Sequence, residues 1–227
     1  LSGPAGHALE RIAEAGRSTA GMSPAEVASD EDFWFEVQQA FVTDRNFINL
    51  NNGTIQNGLR IVQDAVRRHS EFSGNAGAHS MAILGKEIES CRRRLAAHLG
   101  CDAEELVICR GGSEAGQIPL LGLDLKPGDE VLTTNQDYPR LIAALRQREK
   151  REGIVLKQVK LPVPPVPLDE FYRLLEREVT PRTKAILICH MTHYTGQMAP
   201  VRRISDMAHA RGIEVIVDGA HGFMHIP

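Results

Sequence analysis

The sequence lacks the features that mark several classes of protein. Its four cysteines show neither CxxC spacing nor the spacing of zinc ligands. No apolar run approaches the roughly 20 residues of a membrane-spanning helix, and no secretory signal peptide is visible. These absences predict free thiols in a reducing compartment, no membrane partner and a cytoplasmic protein. Export after removal of an upstream signal is the alternative.

An excess of basic charge is also missing. The chain has 26 basic and 29 acidic residues, a net charge of −3, so nucleic acid is not an expected partner. Apolar residues make up 42% and charged residues 24% of the chain, which is typical of a globular, soluble protein. The 227 residues suffice for one large α/β domain with an N-terminal extension.

Residues 1–57 are predicted to form an N-terminal helical extension that ends in a substrate-side segment. Ser23 is a good helix N-cap, with Pro24 and Glu26 behind it, and the helix is expected to run in stages to Phe41. Two further helices are predicted at 58–68 and 81–98. The segment between them, FSGNAGAHS, is expected to be a loop.

From residue 106 onward, strands and helices alternate. Near-continuous apolar strands that alternate with helices predict a mostly parallel sheet with helices on both faces. The predicted strands are Leu106–Cys109, Glu130–Thr134, Ile154–Val159, Ala185–Cys189 and Glu214–Val217. The predicted helices are Glu114–Gly122, Pro139–Arg151, Leu168–Val179 and Val201–Arg211.

Polar groups follow several of these strands. In RGGSE, Gly112 lets the backbone approach a ligand closely, while Ser113 can cap the following helix, whose N-terminus suits a phosphate. Tyr138 can lie flat on a ligand ring. His193 belongs to the polar segment CHMTHYTGQ. Each of these features has a purely structural alternative. RGGSE could be an ordinary turn, Tyr138 could cover the sheet edge, and His193 could be a structural histidine.

Asp218 ends the last predicted strand, and His221 follows it. A carboxylate beside a pyridine nitrogen would keep that nitrogen protonated and make the ring an electron sink. The carboxyl ends of parallel strands meet at one edge, so we expect these groups to converge. A ligand with a phosphate at one end and a protonatable nitrogen at the other, such as pyridoxal phosphate, would bridge them.

Five segments together resemble the class V aminotransferase family, and within it the isopenicillin N epimerase-like and cysteine desulfurase-like branch of fold-type I pyridoxal phosphate enzymes. They are LNNG (50–53), RGGSEA (110–115), LKPGDEVLTTNQDYPR (125–140), HMTHYTGQMAPV (190–201) and HARGIEVIVDGAHG (209–222). The resemblance runs from about residue 30 to the end. It implies an enzyme that acts on an amino acid at the α- or β-carbon, with epimerase, lyase or desulfurase, and transferase reactions all open.

The resemblance also implies roles for individual residues. Gly112 and Ser113 match the phosphate-binding pair, and Tyr138 matches the position that stacks on the ring. His193 stands where the family has an asparagine that contacts the phenolic oxygen or the substrate. Asp218 matches the partner of the pyridine nitrogen, and His221 matches a residue near the phenolic oxygen. Asn51 and Asn52 match the segment on the substrate side.

The family's Schiff-base lysine is expected after Pro227, so no catalytic residue is assigned within the chain. Its lysines are Lys86, Lys126, Lys150, Lys157, Lys160 and Lys184, and none follows the Asp218 strand. The resemblance therefore predicts that 58–227 is a partial cofactor-binding domain that lacks the last strands and the C-terminal small domain. Such a piece is expected to be inactive alone and to leave strand 106–109 without a partner.

Other interpretations remain open. The chain could be a non-catalytic fragment or subunit of such an enzyme. A metal hydrolase could use Asp218, His221 and His225, since the two histidines stand four apart; no metal is assigned on the leading interpretation. The family resemblance implies a homodimer and an amino acid substrate, whose identity the sequence does not specify.

Overall fold

The computed structural model describes residues 4–223 and residue 225. They belong to two compact units, Leu1–Val107 and Ile108–Pro227. The boundary predicted from the sequence lay instead after Asn57, and the assignment of 58–227 to one cofactor-binding domain stays a prediction. No helix within the described residues is long and apolar enough to cross a membrane.

The first unit is helical. Its helices are α1 (Pro4–Ser18), α2 (Pro24–Ala28), α3 (Glu31–Gln39), α4 (Arg60–Ala76) and α5 (Ala78–Leu99). The predicted cap at Ser23 is confirmed, because its hydroxyl accepts from the Glu26 N–H at 3.3 Å and its own N–H donates to the Glu26 carboxylate at 2.6 Å.

The loop predicted at 72–80 is wrong, because this segment is helical except at Gly77. Gly77 has φ +52° and ψ −134° and separates α4 from α5. Glycine, serine and asparagine are weak helix formers, but adding them to an existing helix costs about 1 kcal/mol or less per residue. Only the residue with left-handed φ therefore breaks the helix.

The second unit is a parallel α/β sheet, as predicted. Its strands β1 (Glu130–Thr134), β2 (Val155–Val159), β3 (Thr183–Cys189) and β4 (Glu214–Asp218) lie in the order β2-β1-β3-β4, and every pairing is parallel. The helices are α6 (Gly112–Gly122), α7 (Pro139–Glu152), α8 (Leu168–Glu176) and α9 (Val201–His209).

Helices cover both faces of this sheet. Successive strand residues point to opposite faces, so Leu132 lies in one apolar cluster and Val131 in the other. The first cluster includes Phe171 of α8 and Ile204 of α9. The second cluster includes Leu120 of α6 and, from α7, Leu141 and Leu145.

The strand predicted at Leu106–Cys109 is absent from the part of the chain that the structure describes. Leu106 has the backbone angles of a strand, φ −113° and ψ 126°, but the segment pairs with no neighbour there. Val107 and Ile108 are 76% and 47% exposed. An apolar segment becomes a regular strand only when a neighbour satisfies its N–H and C=O groups, and no described residue does so for this one.

Helix α6 is held by contacts with α7. The Arg148 side chain is buried and donates to the carbonyl oxygens of Leu120 at 2.7 Å and Leu123 at 2.9 Å, which satisfies carbonyls at the C-terminal end of α6. Its Nε also donates to Glu152 at 2.6 Å. Gly116 permits the close approach of the helices, because an added Cβ would lie 2.7 Å from Cδ2 of Leu141.

Replacing Arg148 with methionine should lower the free energy of unfolding by about 2–3 kcal/mol, because a buried carbonyl and a part-buried one lose their donor. Urea denaturation measures the change. Arg151→Met is the matched control, since Arg151 lies on the same helix and also bonds to Glu152 but is 62% exposed. Equal stability of the two variants would contradict this account of α6.

Candidate functional site

A buried carboxylate organises the carboxyl edge of the sheet. Asp137, in the β1–α7 loop, is 3% exposed. Its Oδ2 accepts from the Thr133 hydroxyl at 2.9 Å and from both the N–H and the hydroxyl of Thr134 at 2.7 Å. Its Oδ1 accepts from the Cys189 N–H at 2.5 Å. Asp137 thereby ties the end of β1 to the end of β3.

This role of Asp137 was not recognised from the sequence, where it stood out only as the neighbour of Tyr138. The local signal was weak: two threonine hydroxyls precede a carboxylate by four and three positions. The bond to Cys189, 52 positions away, had no local signal.

Tyr138 and His193 meet at this edge. Tyr138 precedes the first residue of α7 and is half-buried against the cluster that contains Leu141. Its ring centroid lies 5.7 Å from that of His193, edge to face at 86°. His193 also lies 3.9 Å from the Tyr194 ring. The structure therefore brings together two of the predicted residues, one from the loop after β1 and one from the loop after β3.

The same two loops are joined by hydroxyl and amide groups. The hydroxyls of Thr192 and Thr195 lie 2.8 Å apart, and Thr195 donates to Oε1 of Gln136 at 2.8 Å. Gln136 is buried and immediately precedes Asp137. Some polar residues after β3 therefore hold this loop against the β1–α7 loop. The same loop places His193 beside Tyr138.

Asp218 is the last residue of β4 and stands opposite Cys189 in the parallel register. Its Oδ1 accepts from the Ala220 N–H at 3.1 Å, and its Oδ2 lies 3.8 Å from the Cys189 sulfur. Beyond it, Gly222 allows the turn to pack on His190, since an added Cβ would lie 2.7 Å from the histidine Nδ1. His221 is half-buried in the same turn.

The Cys189 thiol lies between two carboxylates. Burial, together with the negative charges of Asp137 and Asp218, raises the pKa of this thiol above its ordinary value. The reactive form of cysteine is the thiolate. Cys189 is therefore a protonated thiol at neutral pH and is unsuited to act as a nucleophile.

The glycine-rich turn leads directly into α6. Gly112 is its first residue and Ser113 its second, whereas Gly111 precedes the helix and no side chain caps it. The prediction that Ser113 caps the helix is wrong because the helix begins before it. Around Gly111 and Gly112 an added Cβ would meet nothing within 4 Å. The first-turn N–H groups lack intrahelical acceptors and are suited to an anion.

A carboxylate also stands in the first turn of α6. Glu114 accepts from the Arg110 N–H at 2.8 Å and from its guanidinium at 2.6 Å. The Arg110 hydrogen bond holds the pKa of Glu114 below its ordinary value. The paired guanidinium offsets the negative charge that would otherwise oppose an anion at this helix end.

The asparagines predicted to face the substrate lie in the first unit. Both are exposed and bonded within their own turn: Asn49 donates to the Asn52 amide oxygen at 2.9 Å, and the Thr54 hydroxyl donates to that of Asn51 at 2.9 Å. Their proposed role, like those of the six predicted cofactor-binding residues, stays a prediction.

The metal-hydrolase interpretation receives no support. Within residues 4–223 and 225, the structure groups no three histidine, cysteine, aspartate or glutamate side chains in a way that could hold a metal ion. Asp218 is instead engaged by Ala220 and Cys189.

Replacing Asp137 with alanine should lower the free energy of unfolding by about 3–4 kcal/mol, because several buried donors lose a charged acceptor. Chemical denaturation of the variant and the parent measures the difference. Asp206→Ala, at an exposed position of α9, should change stability by no more than about 0.5 kcal/mol. A similarly small effect at Asp137 would show that its bonds do not hold the strand ends.

Comparison with known proteins identifies related sequences. The family model for aminotransferase class-V matches residues 47–227. Isopenicillin N epimerase of Streptomyces clavuligerus is 27% identical over 199 residues, covering 85% of this chain and 49% of that protein. A probable cysteine desulfurase of Vibrio cholerae is 27% identical over 200 residues, covering 84% and 48%. The chain thus spans about half the length of these curated relatives.

Solved structures share the fold. A mutant of C-DES with glycine covalently linked to its pyridoxal phosphate cofactor superimposes with a TM-score of 0.71 at 22% identity, covering 79% of this chain and 48% of that one. At this identity the likeness establishes the fold. It agrees with the parallel sheet and flanking helices described above.

Proposed function

Because this chain belongs to the class V aminotransferase family, we propose that it forms the cofactor-binding part of a pyridoxal phosphate enzyme acting on an amino acid at the α- or β-carbon. The observation that carries the proposal is Asp218 at the carboxyl end of β4, next to β3 and its loop. Ligands bind at this edge of parallel α/β sheets.

The chemistry of the donor set fits pyridoxal phosphate. The N–H groups of Gly112 and Ser113, with the Ser113 hydroxyl, would bind the phosphate at the start of α6. Helix α6 packs beside β4, which supports a common site with Asp218. The Asp218 carboxylate would hold a proton on the pyridine nitrogen by charge attraction.

Aromatic and imidazole side chains would position the ring. The half-buried Tyr138 would stack on it, with offset stacking worth about 1 kcal/mol. His193, at 5.7 Å between ring centroids, would donate to the phenolic oxygen or to the substrate, and His221 would approach the phenolic oxygen from the turn after β4. Asn51 and Asn52 would contribute to the substrate side.

Pyridoxal phosphate, when bound, supplies an electron sink for bond breaking at the amino acid. The residues proposed here bind and orient it; none supplies the amine for a Schiff base. Lys157, for example, lies on β2, which carries none of the proposed residues. Its Nζ donates to the Glu178 carbonyl at 2.7 Å. The activity is accordingly proposed for the full-length protein.

An epimerase-like reaction is the leading candidate, supported by the relatives named isopenicillin N epimerase. Cysteine desulfurase or C–S lyase activity is the second, supported by relatives named cysteine desulfurase. A desulfurase needs a cysteine nucleophile, and the family resemblance places that cysteine beyond residue 227; Cys189, which is buried and protonated, is unsuited to the role. The protein is further proposed to be a homodimer that does not bind nucleic acid. It is also proposed to be cytoplasmic, and the four free cysteines are compatible with that location.

Asp218→Asn should weaken binding of pyridoxal phosphate to the full-length protein roughly 10- to 100-fold, because a neutral amide replaces a charge-assisted partner of the ring nitrogen. Equilibrium dialysis measures the dissociation constant. Asp206→Asn, at its exposed position on α9, should bind as the parent does. Absence of binding by the parent at saturating cofactor would refute the proposed function.

The two reactions give different products in one experiment. A desulfurase should release sulfide from L-cysteine in the presence of a thiol reductant. An epimerase should exchange the α-proton of its amino acid for deuterium in D2O and invert the centre without releasing sulfide. Sulfide release at a rate that exceeds exchange would reverse the order of the two candidates.

A further inference from the structure

Among the described residues, two protein donors hold the Asp218 carboxylate. The Ala220 N–H reaches Oδ1 at 3.1 Å, and the Cys189 thiol reaches Oδ2 at 3.8 Å, within the range of a sulfur hydrogen bond. The first donor belongs to the turn that follows Asp218. The second donor comes from the neighbouring strand β3, so this contact fixes the carboxylate relative to the other strand ends.

We infer that Cys189 is a positioning residue, whose S–H donates to Oδ2 of Asp218 and fixes the direction in which this carboxylate faces a ligand. The inference rests on the proposed function, in which Asp218 is the partner of a protonated ring nitrogen. Each carboxylate oxygen has two lone pairs, so one protein donor per oxygen leaves acceptor capacity for the ligand.

The sulfur is itself held in place. Cys189 is 4% exposed at the end of β3, and its N–H donates to Oδ1 of Asp137 at 2.5 Å. The other oxygen of Asp137 is occupied by Thr133 and Thr134. A continuous series of contacts therefore runs from β1 through Cys189 to Asp218 on β4, and a rigid support of this kind is what an oriented binding group needs.

The thiol is a donor over the whole physiological pH range. Burial and the two flanking carboxylates raise its pKa, so the proton stays on sulfur. Alanine at this position would remove the donor, whereas serine would retain one.

The rival arrangement places the thiol proton on the other carboxylate. The Asp137 side chain also lies within hydrogen-bonding reach of the sulfur, and its negative charge acts there more strongly than that of Asp218, so the S–H could point to Asp137 instead. In that arrangement Cys189 would stabilise the β1–α7 loop and leave Asp218 without a donor from β3.

Infrared spectroscopy of the S–H stretch distinguishes the two arrangements without any cofactor. Replacing Cys91, Cys101 and Cys109, together with any cysteine outside these 227 residues, with serine leaves Cys189 as the single source of the band. Asp218→Ala should then move the band to higher frequency, as expected for the loss of an acceptor. A band that keeps its position in Asp218→Ala would overturn the inference.

Ligand binding tests the consequence in the full-length protein. Cys189→Ala should weaken pyridoxal phosphate binding about tenfold, as expected for the loss of roughly one hydrogen bond's contribution, and Cys189→Ser should recover most of that loss. Inorganic phosphate, which lacks the ring nitrogen, should bind both variants as it binds the parent. Circular dichroism confirms that each variant is folded before binding is measured.

The outcomes separate the two proposals. Parental affinity for pyridoxal phosphate in a folded Cys189→Ala variant would overturn the positioning role while leaving the proposed function intact. Equal weakening of pyridoxal phosphate and inorganic phosphate binding would also overturn it, since the effect would then be a general loss of structure. Failure of the parent itself to bind pyridoxal phosphate would refute the proposed function, even with an S–H band that responds to Asp218→Ala.

Discussion

The candidate site depends on the buried carboxylate of Asp137. A carboxylate removed from water is costly unless hydrogen bonds replace its hydration, and here three groups from β1 and one from β3 do so. The conformation of the β1–α7 loop is a consequence. Gln136 then reaches Thr195, and Tyr138 begins α7 with its ring beside His193. One internal acceptor thus determines where two loops meet.

The strand order makes this arrangement useful. Strands β1, β3 and β4 are neighbours and parallel, so their carboxyl ends lie along one edge, where open α/β sheets bind ligands. Each of these ends carries a buried or half-buried polar group: Asp137 after β1, Cys189 on β3 and Asp218 on β4. The edge strand β2 carries none of the proposed residues. Helix α6, anchored by Arg148, brings free N–H groups to the same unit.

Local patterns in the sequence predicted most of the second unit. Each of the four paired strands lies within one or two residues of its predicted position. The failures are also local in origin. Leu106–Cys109 has the composition of a strand but no partner among the described residues, and composition alone cannot reveal a partner. Residues 72–80 have the composition of a loop, yet only Gly77 interrupts the helix, because neighbouring turns propagate through weak helix formers.

The order and spacing of its motifs allowed the sequence by itself to determine the family, the parallel α/β architecture and the candidate residues Gly112, Tyr138, His193 and Asp218. Only the tertiary structure decided what holds these residues. It revealed the bonds of Asp137, placed the Cys189 thiol beside Asp218 and showed that Ser113 lies inside α6 instead of capping it. The reason is distance along the chain: Cys189 meets Asp137 across 52 positions and Asp218 across 29. Contacts of that span arise from the pairing of particular strands, and the amino-acid order alone does not specify which strands pair.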